Sequence, residues 1–375
     1  MALHSAQAFI GIDIGGASLK IVELKNEKGR PKLQTYGYIE KPSPVLKVDS
    51  TESKQKIVET LKKVLDKAKV STNQVVAALP SYTVFSSVIT LPEMKPKELD
   101  AAVHWEAKKI VPMPLEKMVL SYDELTNYDD HEHIPSQNIQ GGNAGVDASA
   151  DARLAQLKSS PKKYKKILLT AAPADLVSHY VELFKMAGLN LVKLETEAFA
   201  LERALVGHDR APVMIVDVGA TTTSISVVVA SVPVVNRSID LGGQTITKTI
   251  ASSLNVDIDR AEQFKRDFGL ISSGVGGNQI PKRIEFMVSS VVNEINYVLN
   301  LYHNQSPAHI EKIILTGGSA WLPNLPNYLA QVLNTKVLIG DPWARVMYPV
   351  ELKPVLTEIG PRLSIAVGLA MREIV

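Results

Sequence analysis

One short pattern occurs twice in this chain and limits its fold more than any other feature. Ile10-Gly11-Ile12-Asp13-Ile14-Gly15-Gly16-Ala17-Ser18 is echoed by Met214-Ile215-Val216-Asp217-Val218-Gly219-Ala220-Thr221-Thr222-Thr223. Each copy is an apolar run ending in Asp-x-Gly, then small or hydroxylated residues, then a second apolar run, Leu19 to Leu24 or Ser224 to Ala230. Runs of this length, rich in Ile and Val, read as buried strands, and the glycine-rich break reads as a hairpin turn. Glycine lets backbone N–H groups come close to an anion, and successive amides form a concavity that holds phosphate. The aspartate entering each turn is placed to hold a hydrated Mg²⁺, which needs only one or two carboxylates besides phosphate and water. Two such hairpins facing each other would clamp a nucleotide tail. For either hairpin alone, the competing reading is an ordinary turn whose aspartate bonds its own backbone.

A chain of 375 residues is long for one core and predicts two domains. Lys and Arg together number 41 against 39 Asp and Glu, so no polyanionic partner such as nucleic acid is indicated. There is no cysteine, which removes disulfides, thiolate metal sites and a cysteine nucleophile, and is compatible with the cytosol. Met1-Ala2-Leu3-His4-Ser5 does not start a signal peptide, and no run approaches the roughly 18 apolar residues of a membrane span.

After the first hairpin, Lys32 to Glu40 reads as a strand and Ser53 to Val70 as an amphipathic helix, with Ile57, Leu61, Val64, Leu65 and Ala68 on one face. Gln74 to Pro80, Val84 to Leu91 and Met118 to Leu125 read as strands, with a helix over Lys97 to Ile110. Asn127 to Lys163 is polar, buries little and predicts a mobile surface loop. Lys165 to Ala172 (strand), Ala174 to Gly188 (helix) and Asn190 to Leu194 (strand) resume the fold. In the second half, Leu241-Gly242-Gly243 interrupts Ile239 to Leu254, and helices follow over Arg260 to Phe268 and Arg283 to His303. A strand at Ile313 runs into Thr316-Gly317-Gly318-Ser319, and the last helix is expected over Ser364 to Met371.

These motifs, in this order, resemble the actin-like ATPase superfamily, and within it most of all the PilM family of type IV pilus assembly proteins, with FtsA and MreB as relatives. The resemblance implies an α/β, actin-like (ribonuclease H-like) two-domain ATPase fold with an inserted FtsA-type strand–helix–strand–strand sub-domain. The expected division is a first half over 1–72, continued by 195–211 and 335–375, an insert over 73–194, and a second half over 212–334 with its own sub-domain at 244–283. FtsA ends in an amphipathic membrane helix, whereas this chain stops at Val375 directly after its last helix. That ending favours PilM and argues against self-anchoring in a membrane.

The resemblance also implies a site for ATP and Mg²⁺. Asp13, Gly15, Gly16, Ala17, Ser18 and Lys20 would form the first phosphate loop, and Asp217, Gly219, Ala220, Thr221 and Thr222 the second. Asp13 and Asp217 would hold the metal through water. Gly242 and Gly243 match a turn reaching toward the phosphates, while Gly317, Gly318 and Ser319 match the adenosine turn. Glu262 and Lys265 share a helix face, as an i, i+3 pair does, and match the ribose and base contacts; otherwise they form a surface ion pair. Glu197, in Glu197-Ala198-Phe199-Ala200, matches the group that orients the attacking water, although the proline usual after the family's glutamate is absent. Its competing reading is a helix N-terminal acid favoured by the helix dipole. Hydrolysis is therefore expected to be slow or to need a partner.

The implied function is an ATP-binding cytoplasmic scaffold, peripheral to the inner membrane, that docks the tail of a PilN-like inner-membrane protein among other pilus-machine components. The alternative is a filament-forming ATPase like FtsA or MreB. A sugar kinase shares both hairpins, but no catalytic aspartate stands in a sugar-site context. His131 and His133 lack convergent metal partners. Trp105 is read as a packing residue of the insert helix.

Overall fold

The two Asp-x-Gly hairpins open two five-stranded sheets of the same strand order. The structure, a computed structural model, describes residues 7–40, 51–125, 164–271, 279–304 and 306–375. In the first sheet β1 (Ala8–Ile14), β2 (Ser18–Glu27) and β3 (Arg30–Glu40) form an antiparallel meander, and β4 (Gln74–Leu79) pairs parallel to β1. Between them α1 (Thr51–Ala68) buries Ile57, Leu61 and Val64, so the crossover back to a parallel strand is helical.

The inserted unit follows β4. It consists of β5 (Phe85–Pro92), α2 (Pro96–Ile110), β6 (Met118–Glu124) and β7 (Tyr164–Pro173), which is the expected strand–helix–strand–strand order. Its antiparallel sheet runs β5-β7-β6, and Leu99, Val103 and Ala107 of α2 pack on Ile167, Leu169 and Ala171. These three helix positions define the buried stripe, and Trp105 lies off it at 65% exposure. The packing role expected of Trp105 is therefore corrected: its ring lies on the surface, with Lys109 5.8 Å from the ring centre.

The chain then returns to the first sheet. Helix α3 (Ala174–Ala187) ends at Gly188 in the left-handed region, and β8 (Asn190–Thr196) pairs parallel to β4. Thus β4 and β8, expected within the insert over 73–194, belong to the first sheet. The boundary shifts because both strands are apolar enough to be central or edge strands, and only pairing assigns them. Helix α4 (Glu197–Leu205) leads into the second half.

There β9 (Val213–Val218), β10 (Thr223–Val229) and β11 (Val232–Ile239) repeat the meander, and β12 (Lys312–Thr316) and β13 (Lys336–Ile339) pair in parallel beyond β9. Strand β13 was expected with the first half and is instead the edge of the second sheet. Helices α5 (Gly243–Leu254), α6 (Ile258–Phe268) and α7 (Gln279–His303) follow the meander, and α8 (Leu325–Leu333) lies between β12 and β13. Buried residues of α5, α7 and α8, including Ile246, Ile295 and Leu329, close one core with Val216, Ile225 and Leu315 of the sheet.

The C-terminal helix α9 (Lys353–Met371) is nearly all buried from Gly360 onward and joins the two halves. It packs on α4, β1, β2 and β4, and reaches β12. A Cβ on Gly368 would stand 1.8 Å from the Ala200 carbonyl oxygen, so α9 and α4 cross at a distance that only glycine permits. At the same crossing Arg203 holds Glu195 by two bonds of 2.7 and 2.9 Å and donates to the Gly368 carbonyl at 2.7 Å. The expected 127–163 loop, with His131 and His133, lies outside the described residues.

Candidate functional site

The two hairpin turns are built alike and face each other. The Gly15 amide donates to the Ser18 carbonyl and the Gly219 amide to the Thr222 carbonyl, both at 2.9 Å. A Cβ on Gly16 would lie 2.3 Å from Thr221 Oγ1, so the tips of the two turns nearly touch. Strand register sets what flanks them. Asp13 is paired with Lys20 across β1 and β2, and side chains of paired residues share a face. Lys20 Nζ accordingly donates to Asp13 Oδ2 at 2.7 Å, with the aspartate buried. At the matching place in the second hairpin, Asp217 is paired with Ser224. The cation is thus supplied from one side.

Three carboxylates converge on that lysine. Glu197, the first residue of α4, accepts the Ser81 amide at Oε2 over 3.0 Å. Burial, then the Asp13 charge, with Asp217 adding, holds its carboxyl up at about 8 despite the stabilising Ser81 bond. Burial also raises Asp217, to about 6, with Lys20 opposing and Asp13 adding. For Lys20, burial works against the charge, but contact with Asp13 and the fields of Asp217 and Glu197 outweigh it, so its pKa is raised. Among the described residues no three His, Asp or Glu side chains form a metal cage. A Mg²⁺ ion here would keep water and phosphate oxygens as most of its ligands.

The remaining motifs pack around the second hairpin turn. The Gly243 amide donates to Gly219 O (2.9 Å) and the Gln244 amide to Ala220 O (2.8 Å), tying the Gly242-Gly243 turn to the second Asp-x-Gly turn. These amides at the start of α5 are therefore occupied by protein. Gly317 has φ +90°, and a Cβ there would stand 2.3 Å from Asp217 Oδ1; the Ser319 amide donates to Val218 O at 3.1 Å. Glu262 and Lys265 do form an ion pair, at 2.6 Å, but not a bare surface one. Lys265 is buried and also donates to Thr247 Oγ1 (2.9 Å) and Gly243 O (3.2 Å). Burial pushes its pKa down, while Glu262 is held low against its own burial by bonds from Lys265, Thr247 and Arg266.

The two Asp-x-Gly turns, the Gly242-Gly243 turn and the Gly317-Gly318-Ser319 turn are therefore in contact, and Lys265 joins Glu262 to them through the Gly243 carbonyl. Two contributors were missed. Thr247 bridges Glu262 and Lys265, and its only signal is its i+4 spacing from Gly243 on α5. Ser81 caps Glu197 from 116 positions away, with no local signal at all. No helix among the described residues is long and apolar enough to cross a membrane.

Comparison with known proteins adds the following. A model of the family described as type IV pilus assembly protein PilM matches residues 11–134 and 151–374. The solved PilM-PilN type IV pilus biogenesis complex contains a chain 26% identical, with a TM-score of 0.77 and 98% of each chain covered. The ethanolamine utilization protein EutJ of Carboxydothermus hydrogenoformans (15% identical, TM-score 0.56, 97% and 89% covered) shares the fold. So does MreB5 of Spiroplasma citri, solved with ADP (14%, 0.52, 98% and 96%). The fold is thus actin-like. The cell division protein FtsA of Agrobacterium fabrum is 29% identical over 176 residues, which span 41% of this chain and 38% of that protein. FtsA of Bacillus subtilis is 21% identical over 91% of this chain and 80% of its own.

Proposed function

The chain belongs to the PilM family of type IV pilus assembly proteins, and from that premise we propose that it binds ATP with Mg²⁺ between its halves and uses nucleotide state to set how it holds a PilN-like partner. What carries this reading is the pair of facing Asp-x-Gly turns with Lys20 between Asp13 and Asp217. The donor set suits the ligand. Backbone N–H groups of the turns can donate to phosphate, Lys20 offers a cation, and the buried Asp13 and half-buried Asp217 offer the hard oxygens that hydrated Mg²⁺ prefers.

Mg²⁺, when bound, supplies the charge that lets phosphate oxygens and these carboxylates share one cleft. Gly15, Gly16, Ala17 and Ser18 on one side, and Gly219, Ala220, Thr221 and Thr222 on the other, would hold the β- and γ-phosphates. Lys20 would hold phosphate, and Asp13 and Asp217 would hold the metal through water. Gly242 and Gly243 brace the second turn, Glu262 and Lys265 face the ribose and base, and Gly317, Gly318 and Ser319 face the adenosine. Glu197 is the water-orienting candidate. The proline that usually follows this glutamate in the family is absent, so hydrolysis is slow, and bound ATP acts chiefly as a conformational ligand.

The partner reading is supported by the neighbour solved together with PilN. A short tail of a PilN-like inner-membrane protein would dock between the first sheet and the insert, along the 74–80, 84–91 and 174–188 segments, by strand addition or apolar anchors. This would hold the protein at the cytoplasmic face of the inner membrane through its partner. To test both parts, purified protein is loaded with Mg-ATP, bound ATP and ADP are followed over hours, and a synthetic PilN-like tail is titrated with and without nucleotide. Stoichiometric retained ATP and a roughly 5–150-fold change in tail affinity are expected. Absence of retained nucleotide removes the ATP reading; equal tail affinity in both states removes the coupling. The kinship with FtsA over most of the chain keeps a filament-forming reading in view. ATP-dependent sedimentation of the purified protein would select it.

A further inference from the structure

Helix α9 brings to the glycine turns one side chain that the ATP reading does not use. The Pro361 carbonyl accepts from the Gly317 amide and from Thr316 Oγ1, both at 3.0 Å, so α9 is pinned to the Gly317-Gly318 turn at that residue. Arg362 is the next residue. A Cβ built on Gly318 would have Arg362 Nε, at 4.0 Å, as its one neighbour within 4 Å among the described residues. Anything lying against that side of Gly318 therefore meets this guanidinium.

The rest of the side chain reaches the first sheet. Arg362 Nη1 donates to Glu40 Oε1 at 2.6 Å, and Cζ stands over the Tyr38 ring, 4.9 Å from its centre. Strand register puts both partners beside the first Asp-x-Gly turn. Glu40 is paired with Ser18, and Tyr38 with Lys20, which is paired in turn with Asp13. Paired residues share a face, so Tyr38 projects from the same side of the sheet as Lys20 and Asp13. Arg362 thus spans from the first hairpin to the Gly317-Gly318 turn. Lys265 adjoins that turn too, since a Cβ on Gly243 would lie 2.6 Å from Ser319 Oγ and 3.4 Å from Lys265 Nζ.

The partners decide what this guanidinium can offer. Its charge is met by Glu40, and Lys20 already supplies a cation at the Asp-x-Gly turns. Glu40 fixes one edge and Tyr38 backs one face, which holds the guanidinium plane in a set orientation. A guanidinium is planar and stacks on aromatic rings, whereas an ammonium is a point charge. The aromatic part of a nucleotide is its base.

We propose that Arg362 is a ligand-contacting residue of the nucleotide site, its guanidinium plane, held by Glu40 and backed by Tyr38, stacking on the purine base beside the Gly317-Gly318-Ser319 turn. This rests on the ATP reading above and adds to it a base contact from α9, braced by the first sheet.

The test uses full-length protein as wild type, Arg362→Lys and Tyr38→Leu, each checked for folding by thermal melting. Dissociation constants are measured by calorimetry for Mg-ATP and for Mg-tripolyphosphate, which carries the phosphates without a base. Wild type should bind Mg-ATP about tenfold or more tightly than Mg-tripolyphosphate. Arg362→Lys keeps a charge for Glu40 and loses the plane. Its Mg-ATP affinity should fall about tenfold, with Mg-tripolyphosphate binding unchanged. Tyr38→Leu removes only the backing ring and should cost about threefold, again for Mg-ATP alone.

Wild-type Mg-ATP affinity in either variant would overturn the proposal. So would an equal loss for Mg-tripolyphosphate, which would make Arg362 a phosphate ligand or a brace, and so would a wild type that binds both ligands equally. Each of these results leaves the phosphate turns occupied and the ATP reading standing. A wild type that binds neither ligand would take away that reading and the proposal together.

Discussion

Replacing Glu197 with glutamine keeps the side chain's shape and an acceptor for the Ser81 amide while removing its charge, so the exchange isolates the electrostatics of the cleft. In the folded protein burial, then the charges of Asp13 and Asp217, hold this carboxyl at about 8, against an ordinary 4.5 in an exposed chain. The folded state therefore holds the proton more tightly than the unfolded state does. The sign follows: this contribution to stability is fully present below pH ~4.5 and is lost as pH rises through ~8. At about 1.4 kcal/mol per pH unit the ceiling is near 5 kcal/mol. The side chain is only partly buried, and solvent screening reduces the effect to about 2 kcal/mol.

Urea denaturation of both proteins without nucleotide, from pH 5 to pH 9, reads this directly. At pH 5 the two should be nearly equal; by pH 9 the glutamine variant should be the more stable by about 2 kcal/mol. Asp217, raised to about 6, adds its own pH dependence, but it does so in both proteins and drops out of the comparison to first order. A glutamine variant that is destabilised equally at every pH would refute the reasoning and leave Glu197 as a plain helix-terminal acid.

Other outcomes follow from the same geometry. Gly317→Ala forces a side chain onto φ +90° and within 2.5 Å of the Val218 carbonyl oxygen; ATP retention should fall by about tenfold or more, at the ~1–3 kcal/mol such strain costs, and an unchanged dissociation constant would show that this turn does not shape the site. Gly368→Ala must separate α9 from α4 and should lower stability by about 3 kcal/mol, read by denaturant midpoint; a loss within error would mean the crossing has slack. Arg203→Met leaves Glu195 only the longer contact with Arg372, at 3.6 Å, and should cost about 3 kcal/mol, the low end for breaking a buried pair, whereas a variant with both residues made apolar should recover most of it; equal losses would contradict the pairing.

Much of the fold was legible because its signals are local. The two hairpins, the amphipathic α1, the order of elements in the insert and the Asp-x-Gly turns each follow from a few neighbouring residues. The last helix shows where local reading fails. The helix was expected only over Ser364 to Met371, yet α9 begins at Lys353 and carries Pro361 within it. At this point the Pro361 carbonyl accepts from the Gly317 amide and the Thr316 hydroxyl, both at 3.0 Å, tying the helix to the end of β12, a long-range contact with no local signal. Trp105 failed for a related reason. Its hydrophobicity predicts burial, but the stripe through Leu99, Val103 and Ala107 turns it to the surface.

By itself, then, the sequence determined two matched hairpins, an α/β alternation and the residue types at each turn, because strand period and glycine or aspartate turn chemistry act over a handful of positions. Only the tertiary structure decided that β4 and β8 join the first sheet, that Lys20 is neutralised by Asp13, and that Glu197 carries a raised pKa. Asp13, Ser81, Glu197 and Asp217 are far apart in the chain, and strand pairing and helix packing bring them together around Lys20. Their protonation and mutual orientation depend on burial and on charges a few ångströms away, quantities that exist only once the chain has folded.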